Sequence, residues 1–498
     1  MKNNVVVVGA GIGGLTASLE LVSRGFDVSL IEQHDQPGGK MREVATSSGG
    51  VDSGPTVFTM RWVFDALMDK LGTTLDDIVD LQQADCLARH SWLDGSSLDL
   101  FADVDRSIEA IRDFAGQSDA QAYRKFTDKT ARVFETLDAG FMQTQRPTLA
   151  GLTVNVGLRH PRRLLETKPF VSLWDELGRV FTDPRLRQLF ARYATYCGSS
   201  PMASPATLML IAHAEQAGVW AVRGGMQRFA DALAKLAAER GVSVRLGERV
   251  DEIRLRRGKV QGVLLESGES IDAAAVVFNG DINALSAGLL GDALTRAVPD
   301  RRKEARSLSA LTWSLSARAS GFPLQYHTVF FGGDYRAEFA AIFDQQQVCD
   351  EPTLYVCAQD RPMTGSDIGP QRGDESTERL FVLMNAPPRR LSNDEISVFE
   401  DRVFGLLNRH GLHIDTAEAT LTAPQDFAVR FPGSEGAIYG WPTHGWTGSF
   451  RRGGSRSKLP GLYFAGGTVH PGPGVPMTAL SGRLAAESIA QDLAGSVR

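Results

Sequence analysis

Val5-Val6-Val7-Val8 is an unbroken run of β-branched residues with no polar face. An alternating strand would leave one side for water; an unbroken one predicts a parallel strand covered by helices on both faces, the centre of a sheet. Leu15, Leu19 and Val22 follow at helical spacing and end at Gly25, and Val28 to Ile31 predicts a second strand. The pattern resumes far along the chain. Phe229, Leu233 and Leu236 predict a helix that stops at Gly241, ahead of strands around Val242 to Leu246 and Val250 to Leu255. Arg257-Gly258-Lys259 turns that chain back through Val260 to Leu265, and a further apolar run spans Ala273 to Phe278. Near the end, Gly461-Leu462-Tyr463-Phe464-Ala465-Gly466-Gly467 reads as a short strand running into paired glycines, and Leu480, Leu484, Ile489 and Leu493 predict a closing helix.

Two insertions separate these pieces, roughly Leu75 to Ala221 and Ala284 to Ser449. The first reads as helix-like throughout. The second holds strand candidates at Leu311–Ala317, Thr328–Phe331, Leu354–Ala358 and Leu380–Met384. A helix then starts at a Ser392 and Glu395 capping box and stops at Gly411, its Ile396, Phe399, Val403 and Leu406 facing one way. A chain of 498 residues exceeds what one hydrophobic core accommodates. The expected organisation is a discontinuous Rossmann-like α/β domain from 1–74, 222–283 and 450–498, a mixed-sheet substrate domain from 75–135 and 284–449, and a helical region over 136–221.

Between the first strand and helix stand Gly9, Gly11 and Gly14, with Ile12 and Gly13 in the same turn. Gly9 permits the tight turn, Gly11 lets backbone approach a pyrophosphate, and Gly14 lets the helix pack close to the strand. The helix N-terminus offers unpaired N–H groups to phosphate. Glu32, with Gln33 beside it, closes the second strand about 20 residues on, where a carboxylate accepts from a ribose 2′-OH and disfavours NADP. The loop Pro37-Gly38-Gly39-Lys40-Met41-Arg42, a glycine pair followed by cations, suits close passage beside an extended flavin dinucleotide and selects FAD over NAD. The helix beginning near Val475, Pro476 and Met477, after Gly466-Gly467, can aim its N-terminus at the flavin pyrimidine edge. Gly54, Pro55, Thr56, Asn279, Gly280 and Asp281 complete the expected cofactor set. Val250 either presents backbone to the adenine or is a core valine.

Charge changes the picture little: 53 Lys and Arg against 59 Asp and Glu, net −6, argue against nucleic acid. Cys86, Cys197, Cys349 and Cys357 are too scattered for zinc or disulfide shuttling and read as reduced, cytosolic thiols. No metal site is expected. Val5–Val8 is too short for a signal-peptide core, and no apolar stretch reaches the roughly 18 residues of a spanning helix.

The fingerprint, Pro-Gly-Gly-Lys-Met-Arg, the stretches Val51-Asp52-Ser53-Gly54-Pro55, Tyr196 to Pro201 and Ala217 to Met226, and the Tyr463–Met477 run YFAGGTVHPGPGVPM occur in order along nearly the whole chain. In them the chain resembles the carotenoid and phytoene desaturase family of FAD enzymes, most of all bacterial hydroxyneurosporene (1-hydroxycarotenoid 3,4-) desaturases. The resemblance implies a doubly wound FAD domain, a mixed-sheet substrate domain, a helical membrane-facing region and an acyclic carotenoid substrate. A phytoene- or neurosporene-type desaturase, a flavin amine oxidase and a non-catalytic prenyl-lipid carrier are the alternatives.

Leu149 to Leu173 interleaves apolar residues with Arg159, His160, Arg162, Arg163 and Lys168, a composition suited to anionic headgroups. Peripheral attachment to the cytoplasmic side of a membrane is expected. Desaturation removes a hydride and a vicinal proton; flavin is the hydride sink. His213 and Glu215 are candidates for a base or for binding a substrate hydroxyl, with structural hydrogen bonding the competing reading; His444 and His470 carry the same ambiguity. No second redox motif is present, leaving quinone or dioxygen as electron acceptor.

Overall fold

The computed structural model describes residues 3–148, 151, 161–301, 304–363 and 377–495. Strand β1 (Asn4–Val8) lies at the centre of a five-stranded parallel sheet. β2 (Asp27–Ile31) and the Ser243–Arg245 strand lie on one side of it, Ala275–Phe278 and Leu462–Phe464 on the other. Helix α1 (Ile12–Val22), the helix Met226–Glu239 and the C-terminal helix Val475–Gly495 cover one face, where Val5 and Val7 are buried among them.

The opposite face corrects the sequence reading. Helices were expected on both sides of Val5–Val8, yet Val6, Ile31, Val276 and Phe278 pack on a three-stranded antiparallel sheet, Val250–Arg256, Lys259–Leu265 and Ser270–Asp272. An unbroken apolar strand reports that both faces are covered; Ile253, Val260 and Val263 exclude water as well as a helix would.

A second, seven-stranded mixed sheet runs in the order Leu412–Thr422, Ser309–Gly321, Glu378–Ala386, Leu354–Ala358, His327–Phe330, Cys86–Ser91, Ser97–Phe101. Only the His327–Phe330 and Cys86–Ser91 pair is parallel. The first insertion is thus not helical throughout: Cys86–Ser91 and Ser97–Phe101 form a hairpin in this sheet, and Leu81–Gln83 pairs with Val219–Val222. Cys86–Ser91 lacks β-branched residues and buries Arg89, so propensity does not announce it. Tertiary pairing supplies what local sequence does not, because Arg89 makes a bidentate pair with Asp99 on the neighbouring strand at 2.7 and 2.6 Å. The Asp94-Gly95 turn was the legible signal. The Leu412–Thr422 edge strand was also missed; most of its residues are exposed, so no apolar alternation marks it.

Helix Asn393–Arg409 has Ser392 as N-cap with the reciprocal Glu395 capping box. It packs Phe399, Val403 and Leu406 beneath the mixed sheet against Leu311, Trp313 and Val382. The other face of that sheet, carrying Tyr355, Phe381 and Leu383, turns toward the helical insertion and walls a cavity.

Candidate active site

The glycine turn is closed from two further strands. Gly9 has φ +100° and its carbonyl accepts from Asn279 Nδ2 at 3.1 Å, while a methyl group on Gly14 would collide with the Gly9 carbonyl oxygen. A Cβ on Gly13 would come to 3.1 Å from the Gly466 amide. Gly11 is the N-cap of α1 and no side chain caps the helix, so its first N–H groups face the turn. Gly38 donates to the Ala10 carbonyl at 2.9 Å, and Gly39, at φ +62°, sits so close that a Cβ there would lie 3.2 Å from Gly11 Cα. Gly9, Gly11, Ile12, Gly13, Gly14, Gly39, Asn279 and Gly466 are thereby brought together from four separate stretches of chain. The cradle is one that side chains would fill, which fits a pyrophosphate.

Glu32 is buried, and its two carboxylate oxygens accept from the Ala10 amide at 2.7 Å and the His34 amide at 3.0 Å. Each oxygen keeps a lone pair for a ribose hydroxyl. Gln33 is exposed and donates to the Arg430 carbonyl at 3.3 Å. Val250 is buried opposite Leu265 in the antiparallel sheet.

Beyond the turn, Asp281 pairs with Arg306 at 2.7 Å, both buried, and Lys40 and Arg452 are close enough to share its field. Desolvation lowers the Lys40 ammonium to about 8, Asp281 opposing and Arg306 and Arg452 adding to the shift. Desolvation likewise lowers Arg452 to about 10. The Arg452 guanidinium donates to the Gly467 carbonyl at 3.0 Å and the Trp441 carbonyl at 2.7 Å. Three cations around one carboxylate leave a positive field beside the glycine cradle, which suits a dinucleotide's phosphates. Met41 is buried in the core behind it, and Arg42 donates to Thr422 Oγ1 at 2.9 Å, its guanidinium lowered to about 10 by desolvation and then by Arg430. Met41 therefore has only backbone to offer a cofactor, while the Arg42 side chain is turned to Thr422 and the Phe427 ring.

A cavity of about 900 Å³ shares Arg452 with this cationic group. Gly54, Pro55, Thr56, Val475, Pro476 and Met477 line it together with apolar residues such as Phe134, Leu137, Leu208 and Phe381, and the exposed Leu165, Phe170 and Trp446 mark its rim. Glu215 lines it, with both oxygens occupied by the hydroxyls of Tyr193 and Tyr196 at 2.7 and 2.6 Å. His213 instead packs against the Phe134 ring at 5.1 Å between centroids. His444 accepts from the Ser200 amide at 2.9 Å, and His470 donates from Nε2 to the Phe141 carbonyl at 2.9 Å. Burial lowers both to about 4, so they are neutral hydrogen-bonding groups at ordinary pH. Tyr355, Arg306 and Arg452 escaped the sequence reading because their partners stand elsewhere in the chain, and Arg192 and Tyr335 because no motif marks them; Tyr196 lies in the Tyr196–Pro201 stretch that the sequence does mark.

A family model for flavin-containing amine oxidoreductases matches residues 12–490. The chain belongs to this family. Its cofactor is therefore FAD, and the glycine cradle, Glu32 and the cationic field are the features that fit it. Among curated members, the chain is 49% identical over its full length to a hydroxyneurosporene desaturase of Rubrivivax gelatinosus, of which it covers 95%. It is 46% identical to one of Cereibacter sphaeroides, with 99% of each chain covered. A 4,4'-diapolycopene oxygenase of Methylomonas is 31% identical, again with 99% of each chain covered. Among solved structures, a putrescine oxidase superposes with TM-score 0.61 at 14% identity and a cyclohexylamine oxidase from Brevibacterium oxydans with 0.58 at 14%, each covering 99% of both chains. Likeness at that identity establishes the flavin amine oxidase fold, with its parallel cofactor sheet and mixed second sheet.

Proposed function

We propose that the protein is an FAD-dependent desaturase of acyclic carotenoids that introduces the 3,4 double bond of a 1-hydroxycarotenoid. The observation that carries this reading is the full-length identity of 49% and 46% to two hydroxyneurosporene desaturases, joined to an apolar cavity of about 900 Å³ that shares Arg452 with the cationic group beside the cofactor cradle. A volume at the upper end of the usual 300–1,000 Å³ range suits a long polyene better than a small amine.

FAD, when bound, supplies the acceptor for the hydride that leaves the substrate. The chain's own residues bind and align the polyene between the mixed sheet and the helical insertion and exclude water along it. The vicinal proton has no assigned acceptor: Glu215 is the carboxylate nearest the role, but both its oxygens already hold tyrosine hydroxyls. Quinone or dioxygen is the proposed terminal electron acceptor.

Peripheral membrane attachment belongs to the same reading. Among the described residues no helix is long and apolar enough to cross a membrane. Leu165 and Phe170 are 74% and 78% exposed at the cavity rim, where Phe170 contacts Trp446 at 5.5 Å between ring centroids. Large apolar side chains at a cavity mouth suit entry of a substrate dissolved in lipid. Of the basic residues expected to assist, Arg163 is exposed. Arg159, His160 and the side chain of Arg162 lie outside the described residues. The domain division at 75, 136, 222, 284 and 450 is proposed with the function, since residues of all three groups border the cradle or the cavity.

The test is incubation of FAD-loaded protein in liposomes with 1-hydroxyneurosporene, neurosporene and phytoene, following polyene lengthening by absorbance. Conversion of the hydroxylated substrate is expected; conversion of phytoene alone, or oxidation of amines without any carotenoid turnover, overturns the reading.

A further inference from the structure

We infer that Arg192, Tyr196 and Tyr335 form a subsite in the cavity wall for the tertiary hydroxyl of the substrate, and that this subsite sets the preference for hydroxylated over unhydroxylated polyenes. The inference rests on the desaturase reading above. A guanidinium facing an apolar cavity is costly unless a polar group meets it. Arg192 lines the cavity, with its guanidinium 5.2 Å from the Tyr196 ring centroid and 5.6 Å from that of Tyr355. Among the described residues its side chain makes one hydrogen bond, Nη1 to Tyr196 Oη at 3.1 Å, out of five N–H donors. Tyr335 also lines the cavity, is 5% exposed, and its hydroxyl has no hydrogen-bond partner among the described residues.

Glu215 organises the group without filling it. It takes the hydroxyl hydrogens of Tyr193 and Tyr196, so the Tyr196 oxygen is held as an acceptor toward Arg192. The carboxylate also balances the charge of the guanidinium, which leaves little for an anion and nothing for an ammonium. What remains is an unused guanidinium edge and, within its electrostatic reach, the buried and unpartnered phenol oxygen of Tyr335. A neutral alcohol complements both, its oxygen accepting from Arg192 and its hydrogen passing to Tyr335, or the reverse at the phenol.

Position agrees with chemistry. In a 1-hydroxycarotenoid the hydroxyl stands on C1, two bonds from C3 and three from C4, so its subsite must adjoin the reacting bond and hence the cofactor end of the cavity. Thr56, a cavity-lining residue of the Gly54–Thr56 segment expected to meet the cofactor, hydrogen-bonds the Tyr355 hydroxyl at 2.7 Å, and Arg192 lies over the Tyr355 ring. Thr353 and Asn385 also face the cavity, but both already donate to Glu338, at 2.7 and 3.2 Å.

Arg192→Met and Tyr335→Phe test the subsite on the FAD-loaded enzyme. Equilibrium binding of 1-hydroxyneurosporene and neurosporene, read by quenching of protein fluorescence, is measured beside kcat/KM. Each variant is expected to weaken binding and kcat/KM for the hydroxylated polyene by about tenfold or more, in keeping with one lost hydrogen bond to a substrate hydroxyl. Binding of neurosporene should stay within about twofold of wild type. Tyr335→Phe removes an unpartnered oxygen, so its flavin content and thermal midpoint serve as the folding control. Parallel loss on both polyenes, or unchanged discrimination in both variants, overturns the subsite. If wild type binds the two polyenes with the expected discrimination but turns over neither, the desaturase reading fails while the subsite stands.

Discussion

Glu32 Oε2 accepts the amide hydrogen of Ala10 at 2.7 Å, so the carboxylate at the end of β2 braces the glycine turn as well as standing ready for a ribose. Glu32→Ala is expected to lose twice. FAD affinity should fall by about 10- to 100-fold, and the apoprotein should lose about 1–3 kcal/mol because a buried N–H is left without an acceptor. Glu32→Gln keeps an acceptor oxygen and should retain most of the apoprotein stability. Flavin titration and thermal unfolding without FAD separate the two effects; an apoprotein of Glu32→Ala that unfolds at the wild-type temperature would confine the residue to the ligand.

Gly482 lets the C-terminal helix lie directly on α1. A methyl group there would collide with the Gly13 carbonyl oxygen and come within 2.9 Å of the Ala17 amide. Gly482→Ala is expected to cost about 1–3 kcal/mol by overpacking and, because Gly13 belongs to the fingerprint turn, to release FAD as well. Retained flavin after gel filtration with an unaltered thermal midpoint would show that the helices can part without consequence.

Asp52 is buried at the start of the Met226–Glu239 helix and accepts the Met226 amide at 2.6 Å. Burial raises its pKa to about 6, against opposition from the Met226 and Gln227 amides. Its folded value lies above the unfolded one of about 4, so the folded state holds the proton to higher pH. The stability it contributes is complete below pH 4 and is lost as pH rises through 6. Relative to Asp52→Asn, wild type should lose up to about 3 kcal/mol of unfolding free energy between pH 4 and 7. Denaturant titrations of both proteins across that range check the sign; wild-type stability that rises with pH relative to Asp52→Asn contradicts it.

The cavity rim should carry the membrane contact. Leu165→Ser with Phe170→Ser is expected to reduce co-sedimentation with anionic liposomes several-fold while leaving flavin content unchanged, since both side chains are already in water. Reversal of Arg159, Arg162 and Arg163 to Glu should reduce it further and make the remainder insensitive to salt. Undiminished sedimentation of both variants would remove the membrane from the proposed function.

Local chemistry explains which parts were legible. A run such as Val5–Val8, three spaced glycines and an acid at the end of the next strand each do their work through backbone conformation or a short reach, so their order in the chain is nearly their order in space. The Ser392 and Glu395 capping box is local for the same reason, its two hydrogen bonds spanning a single turn. The sequence by itself therefore determined the parallel cofactor sheet, the dinucleotide turn and the helix beneath the second sheet.

Only the tertiary structure decided the rest. It assigned a β-sheet, not helices, to cover Val6 and Phe278, drew Cys86–Ser91 into the mixed sheet, and set Arg452 beside Gly467 and Arg306 against Asp281. It also brought Tyr335 to the cavity that Arg192 and Tyr196, one turn apart on a single short helix, line together with Thr56. Covering an apolar face and neutralising a buried charge are nonlocal requirements that many chain segments can meet, and packing alone selects which one does.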